Sequence, residues 1–393
     1  MSDEIVVVGM ARTPLGGLQG GLANMTAADL GATAISAAIE RSQISPESID
    51  ETLMGCVLPA GQGQAPARQA SLAAGIPMST GCTTINKMCG SAMKSVMLGM
   101  DIIKAGSANV VAAGGMESMS KAPYLLPKAR EGMRLGHGQL LDHMFFDGLE
   151  DAYDKGKLMG VFAEATASKF EFTREAQDAY AIESLQRAKK AIEEGRFKQE
   201  IAPVTVKSRK GDTVVDTDEQ PGNARIDKIP QLNPAFAKDG TVTAANSSSI
   251  SDGAAALILM KASEADKRGL TPIARLLAHA TNAHEPAWFT TAPVGAIQKV
   301  MKSVNWEIDD VDLFEVNEAF AVVTMAAMDQ LKLPHEKVNV NGGACALGHP
   351  IGASGARIMV TLIAALQNKG LKRGVASLCI GGGEATAVAL ELV

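Results

Sequence analysis

Cys89 stands in the run Asn86-Lys87-Met88-Cys89-Gly90-Ser91. A strand-like stretch, 82–85, precedes it. After it Met93, Val96, Met97, Met100 and Ile103 recur at helical spacing. The cysteine therefore falls on a strand-to-helix turn, at a helix N-terminus. Free backbone N–H groups and the helix dipole favour a thiolate there, and the thiolate is the nucleophilic form. A lone cysteine is more often a small buried hydrophobe. The sharp turn with glycine and serine following points to a nucleophile.

Three further motifs could serve it. His349 lies in Gly348-His349-Pro350-Ile351-Gly352-Ala353-Ser354-Gly355, with a helix expected from about Ala353. Glycine and proline around a histidine at a helix start suit a base exposed to a cleft. The run is not a phosphate-binding P-loop, because no Gly-Lys-Ser/Thr follows. Cys379 ends the apolar stretch 376–380 and is followed by Gly381-Gly382-Gly383. The C-terminal edge of an α/β sheet is where sites form, and bare glycine N–H groups can hold an oxyanion. Asn317 opens Asn317-Glu318-Ala319-Phe320 after the apolar run 313–316. By itself it reads as an ordinary helix cap.

The elements that must position these residues follow an α/β plan. The unbroken apolar run 5–8 reads as a buried parallel strand. The segment 26–41 reads as a helix capped by Thr26, with Asp29 three residues on. Another buried strand is expected at 110–113. A second copy of this plan lies downstream: the helix-to-strand passage 34–50 matches 296–312 at one constant spacing. The two copies imply duplicated halves interrupted by an insertion. The expected units are 1–117 with 246–270, an inserted loop domain at 118–245, and 271–393. Within the insertion, 173–194 reads as a helix with Ala176, Ala179, Tyr180, Ala188 and Ile192 on one face. The polar stretch 207–227 reads as an exposed hairpin and loop.

Composition narrows the function classes. With 46% hydrophobic residues over 393 positions, a large core is available and global disorder is excluded. Aromatics are only 4% and the net charge of −6 is dispersed, which argues against a nucleic-acid or anionic-lipid surface. The five cysteines form no CxxC pair and no zinc-ligand cluster, so no metal site is expected. Met1-Ser2-Asp3-Glu4 lacks leader character, Glu391-Leu392-Val393 is not a peroxisomal address, and no run is long enough to span a membrane. A cytoplasmic protein with reduced thiols is the expectation.

Together the four motifs, in this order, resemble the thiolase family. The likeness spans essentially the whole chain, from Ala11-Arg12-Thr13-Pro14 to Ala344-Cys345-Ala346-Leu347-Gly348 and beyond. It implies a duplicated βαβ core of mixed sheets covered by helices, with an inserted loop domain. It implies Cys89 as the acylated nucleophile, His349 as its base, and Cys379 as the acid/base acting on the substrate α-carbon and the leaving thiol. Asn317 would hold a water that, with His349, stabilises an enolate. The N–H groups of Cys89 and Gly381 would bind the tetrahedral oxyanion. Leu149, Leu158, Met159, Phe236, Ala244, Ser248, Phe289, Ala319 and Phe320 would line the pantetheine tunnel.

The implied reaction joins two acetyl-CoA into acetoacetyl-CoA and CoA, or runs in reverse, with coenzyme A thioesters as substrates and no cofactor. Thiolysis of longer 3-oxoacyl-CoA chains is the alternative. A ketoacyl synthase would pair its cysteine with two histidines, whereas Cys379 holds the third slot here. A silent CoA-binding scaffold is disfavoured by retention of all four motifs. The resemblance also implies a homotetramer, with Leu125, Leu126, Met144, Phe145 and Phe146 available for contact. Two positions depart from the family pattern. Leu158-Met159-Gly160 stands where His-Met-Gly is frequent, and Pro221-Gly222-Asn223 where Pro-Arg often occurs.

Overall fold

A computed structural model describes residues 4–393; Met1, Ser2 and Asp3, read above for a leader, lie outside the described residues. Among the described residues nine longer strands form one continuous sheet. They are β1 (Ile5–Arg12), β2 (Glu51–Gly55), β3 (Gly81–Ile85), β4 (Val110–Ser118), β5 (Ser251–Lys261), β6 (Ala274–Ala283), β7 (Leu313–Val316), β8 (Arg373–Ile380) and β9 (Glu384–Leu392). Their order is β7-β8-β9-β6-β1-β5-β4-β2-β3. The two-residue strand Gly16–Gly17 joins beside β5.

The sheet reads as two similar halves meeting at β1 and β6. Outward from the junction run β1, β5, β4, β2 in one half and β6, β9, β8, β7 in the other. The main helices are α1 (Ala27–Ser42), α2 (Ser91–Lys104), α3 (Met159–Lys169), α4 (Arg174–Glu193), α5 (Ala292–Ser303), α6 (Ala321–Leu331) and α7 (Ser354–Lys369). The duplication seen in the sequence reaches local detail. A 3-10 turn at Pro46–Ser48 leads into β2, and its counterpart at Ile308–Asp310 leads into β7.

The outermost pairs, β2 with β3 and β4 and β7 with β8, are parallel. β1 is not: it pairs antiparallel with both β5 and β6. An unbroken apolar run reports burial on both faces, and β1 is buried throughout, but the run carries no information on direction. α1 begins as expected. The Thr26 hydroxyl accepts from the Asp29 N–H at 3.1 Å, and the Asp29 carboxylate accepts from the Thr26 N–H at 3.2 Å.

Three main apolar layers build the core, and the central one joins the halves. α1 covers one outer face and α5 the other. The central layer is shared: Met93, Val96, Met97 and Met100 of α2 pack with Ile358, Met359 and Leu362 of α7, against strands from both halves. Consequently the N-termini of α2 and α7, one from each half, lie side by side. That arrangement brings Cys89 and His349 into one region.

The chain between β4 and β5 carries α3, α4 and two short hairpins. Arg12, at the end of β1, anchors it. Its buried guanidinium donates to Glu200 at 2.5 Å and to both carboxylate oxygens of Asp218 at 2.7 and 2.8 Å. α4 starts at its Thr173 cap, but its inward face differs from the expected one. Gln177, Asp178, Tyr180, Ser184 and Leu185 are buried, while Ala176 and Ala179 are exposed. Tyr180 and Ser184 face inward because they bind the Asn317 loop, as described below, while Gln177 bonds Thr241 and Asp178 bonds Asn246. Met144 is also not available for contact with a neighbour, since it packs with Val57, Leu58, Met119 and Ile351.

Candidate active site

Cys89 sits on a tied turn. Met88, immediately before it, takes the left-handed conformation (φ +46°), uncommon for a side chain of its kind. The turn is braced by its neighbours. The Ser91 hydroxyl donates to the Met88 carbonyl at 2.6 Å and accepts from the Lys87 N–H at 2.9 Å. The Asn86 side chain accepts from the Met88 N–H at 3.0 Å. The backbone N–H groups of Gly381 and of Cys89 itself lie near enough to the Cys89 sulfur to pull its thiol down.

Burial opposes the expected resting thiolate. Burial pushes the Cys89 thiol up to about 11, outweighing the two N–H groups that pull the other way. Cys379 is fully buried, and burial, with Cys89 nearby, raises its thiol well above the ordinary range. His349 is displaced in the opposite sense. Burial, helped by the Arg357 guanidinium, lowers it to about 3, so the imidazole is neutral at physiological pH.

The tautomer of His349 follows from its partner. The Ser354 hydroxyl lies 2.6 Å from Nδ1 and donates to the Pro350 carbonyl at 2.9 Å. Its oxygen therefore accepts from Nδ1–H, which leaves the Nε2 lone pair as the basic site. The Asn317 amide nitrogen lies 3.5 Å from the ring nitrogens. Below the loop, Glu117 accepts N–H bonds from Val57 at 2.9 Å, Leu58 at 3.2 Å and Gly352 at 2.9 Å, pinning the histidine loop to the first half. Burial raises this carboxyl to about 7.

Asn317 is not a helix cap, because α6 begins four residues later with Phe320 at its cap position. Its neighbour fixes it instead. The buried Glu318 carboxylate accepts from Tyr180 Oη at 2.9 Å, Ser184 Oγ at 2.8 Å, Asn339 Nδ2 at 2.9 Å and the Cys345 N–H at 3.0 Å. Tyr180 and Ser184 come from α4, which explains that helix's polar inner face.

These residues border a cavity of about 610 Å³. Cys89, His349 and Gly381 reach its wall, as do Leu149, Leu158, Met159, Phe236, Ala244, Ser248, Phe289, Ala319 and Phe320. Asn317 and Cys379 stand behind the wall. Cys379 packs in one apolar cluster with Phe289, Ala319 and Phe320. Phe236 meets Phe320 edge-to-face with ring centres 5.9 Å apart, and Phe289 meets Phe162 at 6.5 Å. The sequence reading missed Tyr153, Ser247, Ile351 and Gly382 on this wall, and Ser354, Glu117 and Arg357 behind it.

A second hollow, of about 290 Å³, shares Ala244 and Ser249 with the first and carries Arg225 and Lys228. These two cations lie a few residues beyond Pro221-Gly222-Asn223, where the sequence lacks the usual arginine. Among the described residues no cluster of histidine, cysteine and carboxylate side chains could hold a metal ion.

The family model described as "Thiolase, N-terminal domain" matches residues 5–263, and "Thiolase, C-terminal domain" matches 270–392. The chain belongs to the thiolase family. An acetyl-CoA acetyltransferase of Thiocystis violacea is 49% identical to this thiolase over 394 residues, with both chains fully covered. Acetyl-CoA acetyltransferase 2 of Arabidopsis thaliana is also 49% identical, with 99% of this chain and 97% of that one covered. The fold matches the Bacillus anthracis acetyl-CoA acetyltransferase crystal structure with a TM-score of 0.97 at 40% identity, covering 100% and 99% of the two chains. It matches an Ascaris suum thiolase, solved in complex with coenzyme A, with a TM-score of 0.94 at 42% identity, covering 99% and 100%.

Proposed function

We propose that this thiolase interconverts two acetyl-CoA with acetoacetyl-CoA and CoA through an acetyl group carried on Cys89. One observation carries the reading. The Cys89 thiol, a neutral histidine base and two convergent N–H groups meet on one apolar cavity, with a second buried thiol directly behind it. Full-length relatives named acetyl-CoA acetyltransferase support it.

The steps follow from the groups present. His349 Nε2 takes the Cys89 proton as sulfur attacks the acetyl carbonyl. The oxyanion receives the N–H groups of Cys89 and Gly381. The intermediate expels CoA, whose sulfur takes its proton from Cys379, so acetyl-Cys89, a Cys379 thiolate and protonated His349 remain. The Cys379 thiolate then takes a proton from the methyl group of a second acetyl-CoA. The enolate oxygen faces His349 and a water on Asn317, whose buried Oδ1 lacks a protein partner. Carbon attacks acetyl-Cys89, the new carbon–carbon bond replaces the thioester bond, and the Cys89 sulfur recovers its proton from His349. Removing so weakly acidic a proton needs base and enolate stabilisation together, and the covalent intermediate divides the task.

Arg225 and Lys228, in the adjoining hollow, suit the phosphates of the nucleotide end of coenzyme A. A homotetramer belongs to the same proposal, supported by apolar side chains exposed at Tyr124, Leu126, Leu135 and Leu140. Light scattering that returns a monomer at micromolar concentration defeats that part. The central test is incubation with acetyl-CoA followed by peptide mass mapping. Acetyl is expected on Cys89; acetylation only elsewhere, with activity intact in Cys89→Ala, overturns the mechanism.

A further inference from the structure

Two charged residues outside the cavity join the turns that carry the oxyanion donors. Lys87 lies two positions before Cys89, on the turn between β3 and α2. Glu384 opens β9, directly after Gly381-Gly382-Gly383. The Lys87 ammonium and the Glu384 carboxylate form an ion pair between positions 297 apart, one from each half of the molecule. The side chains are 22% and 34% exposed, and neither borders the cavity. Among the described residues no other ion pair links these two turns.

Apart from this pair the two turns meet through close packing. Gly382 and Gly383 adopt φ of +94° and +86°, open to glycine and strained for other residues, so the turn has no side chains of its own to brace it. On its far side the Gly383 carbonyl accepts from the His284 N–H at 2.9 Å, a tie within the second half. On the near side the turns touch closely: a Cβ on Gly90 would lie 2.3 Å from Ile380 Cδ1. The Cys89 N–H belongs to one turn and the Gly381 N–H to the other. Their separation is thus the separation of the two turns.

We propose that the Lys87–Glu384 pair is a clasp between the halves that sets the distance between the Cys89 and Gly381 N–H groups, making both residues positioning residues for the oxyanion. The inference rests on the acetyl-Cys89 reading above. A partly exposed pair adds little to folding stability. An oxyanion donor displaced by a fraction of an ångström is costly, since losing one such donor lowers rate by about 10²–10³-fold. Partial displacement therefore gives a kinetic defect larger than any stability defect.

The test uses the full chain with Lys87→Met, Glu384→Gln, the conservative Lys87→Arg, and the exchange Lys87→Glu with Glu384→Lys. The rate of Cys89 acetylation at saturating acetyl-CoA is measured by rapid quench, alongside KM, melting temperature and salt dependence. Each neutralising variant is expected to acetylate about 10-fold more slowly with KM nearly unchanged, Lys87→Arg to stay near wild type, and the exchange to recover most of the rate. Wild type is expected to slow between about 0.05 and 0.5 M salt, and Lys87→Met to be indifferent to it. Neutralising variants that acetylate at the wild-type rate, a loss confined to KM, or an exchange no better than the single variants overturns the clasp. Should Lys87→Met not fold, Glu384→Gln and Lys87→Arg decide it by the same criteria. A wild-type protein that never acetylates Cys89 defeats the underlying reading instead.

Discussion

Replacing Ser354 with alanine removes a single oxygen from behind the base. That oxygen lies 2.6 Å from His349 Nδ1, and its own proton is committed to the Pro350 carbonyl. The variant leaves a buried Nδ1–H without its acceptor, at a cost of about 1–3 kcal/mol. The other tautomer escapes that cost by moving the proton to Nε2, where it can no longer accept one from Cys89. The preference for the working tautomer therefore falls by about the same amount, and each ~1.4 kcal/mol is about tenfold in rate. Cys89 acetylation in Ser354→Ala is expected to slow by about 10–100-fold at neutral pH. KM for acetyl-CoA should barely change, because Ser354 does not border the cavity. Rapid quench with intact-mass detection of the acetyl-enzyme measures the first quantity, and steady-state thiolysis the second. A folded Ser354→Ala protein that acetylates at the wild-type rate refutes the tautomer argument.

Four further outcomes are expected. Cys379→Ser should still acetylate Cys89, while condensation and solvent exchange of the acetyl methyl protons fall by at least about 100-fold; equal loss of acetylation and exchange would make Cys379 a packing residue. With His349 lowered to about 3, the base stays neutral well below the ordinary histidine value, so the acetylation rate constant should show no acid limb near pH 6.5; a clear limb there contradicts the burial argument. Arg225→Ala with Lys228→Ala should raise KM for CoA several-fold with little change in kcat, whereas a kcat defect alone would remove them from nucleotide binding. Leu158→His should preserve activity and sharpen short-chain preference, because the phenylalanine rings at 236, 289 and 320 already narrow the cavity. A wild-type optimum at eight or more carbons across a 3-oxoacyl-CoA series would instead indicate a long-chain enzyme.

Much of this architecture was legible in the residues. Local chemistry located α1, because Thr26 and Asp29 form a reciprocal cap, and internal repetition located β7 at Leu313–Val316. What failed depended on groups distant in sequence. β1 was given the wrong direction because burial on two faces does not encode a partner. The inner face of α4 was misread because Ser184 and Tyr180 are buried for the sake of Glu318, more than a hundred residues away. Asn317 looked like a cap because nothing local shows that its loop is held from α4. Ser354 had a weak signal, a hydroxyl at the start of the helix following His349. Lys87 and Glu384 had none, since an ion pair across the two halves leaves no periodicity.

The misread thiolate is the instructive failure, because it changes how the site must work. A helix start argues for an ionised sulfur, yet burial leaves Cys89 at about 11 and His349 at about 3. Both displacements favour the neutral thiol–imidazole pair over the thiolate–imidazolium pair. Such a pair does not accumulate in the empty site. In the proposed mechanism, proton transfer is completed as the negative charge passes onward to the carbonyl oxygen, where the N–H groups of Cys89 and Gly381 receive it. Deprotonation and attack are thereby coupled, and the sulfur stays a protonated, weakly reactive thiol until a thioester is in place. This makes the spacing of those two donors matter for generating the nucleophile as well as for holding the intermediate. On the proposed clasp, an ion pair that never touches substrate thereby acts on the first chemical step.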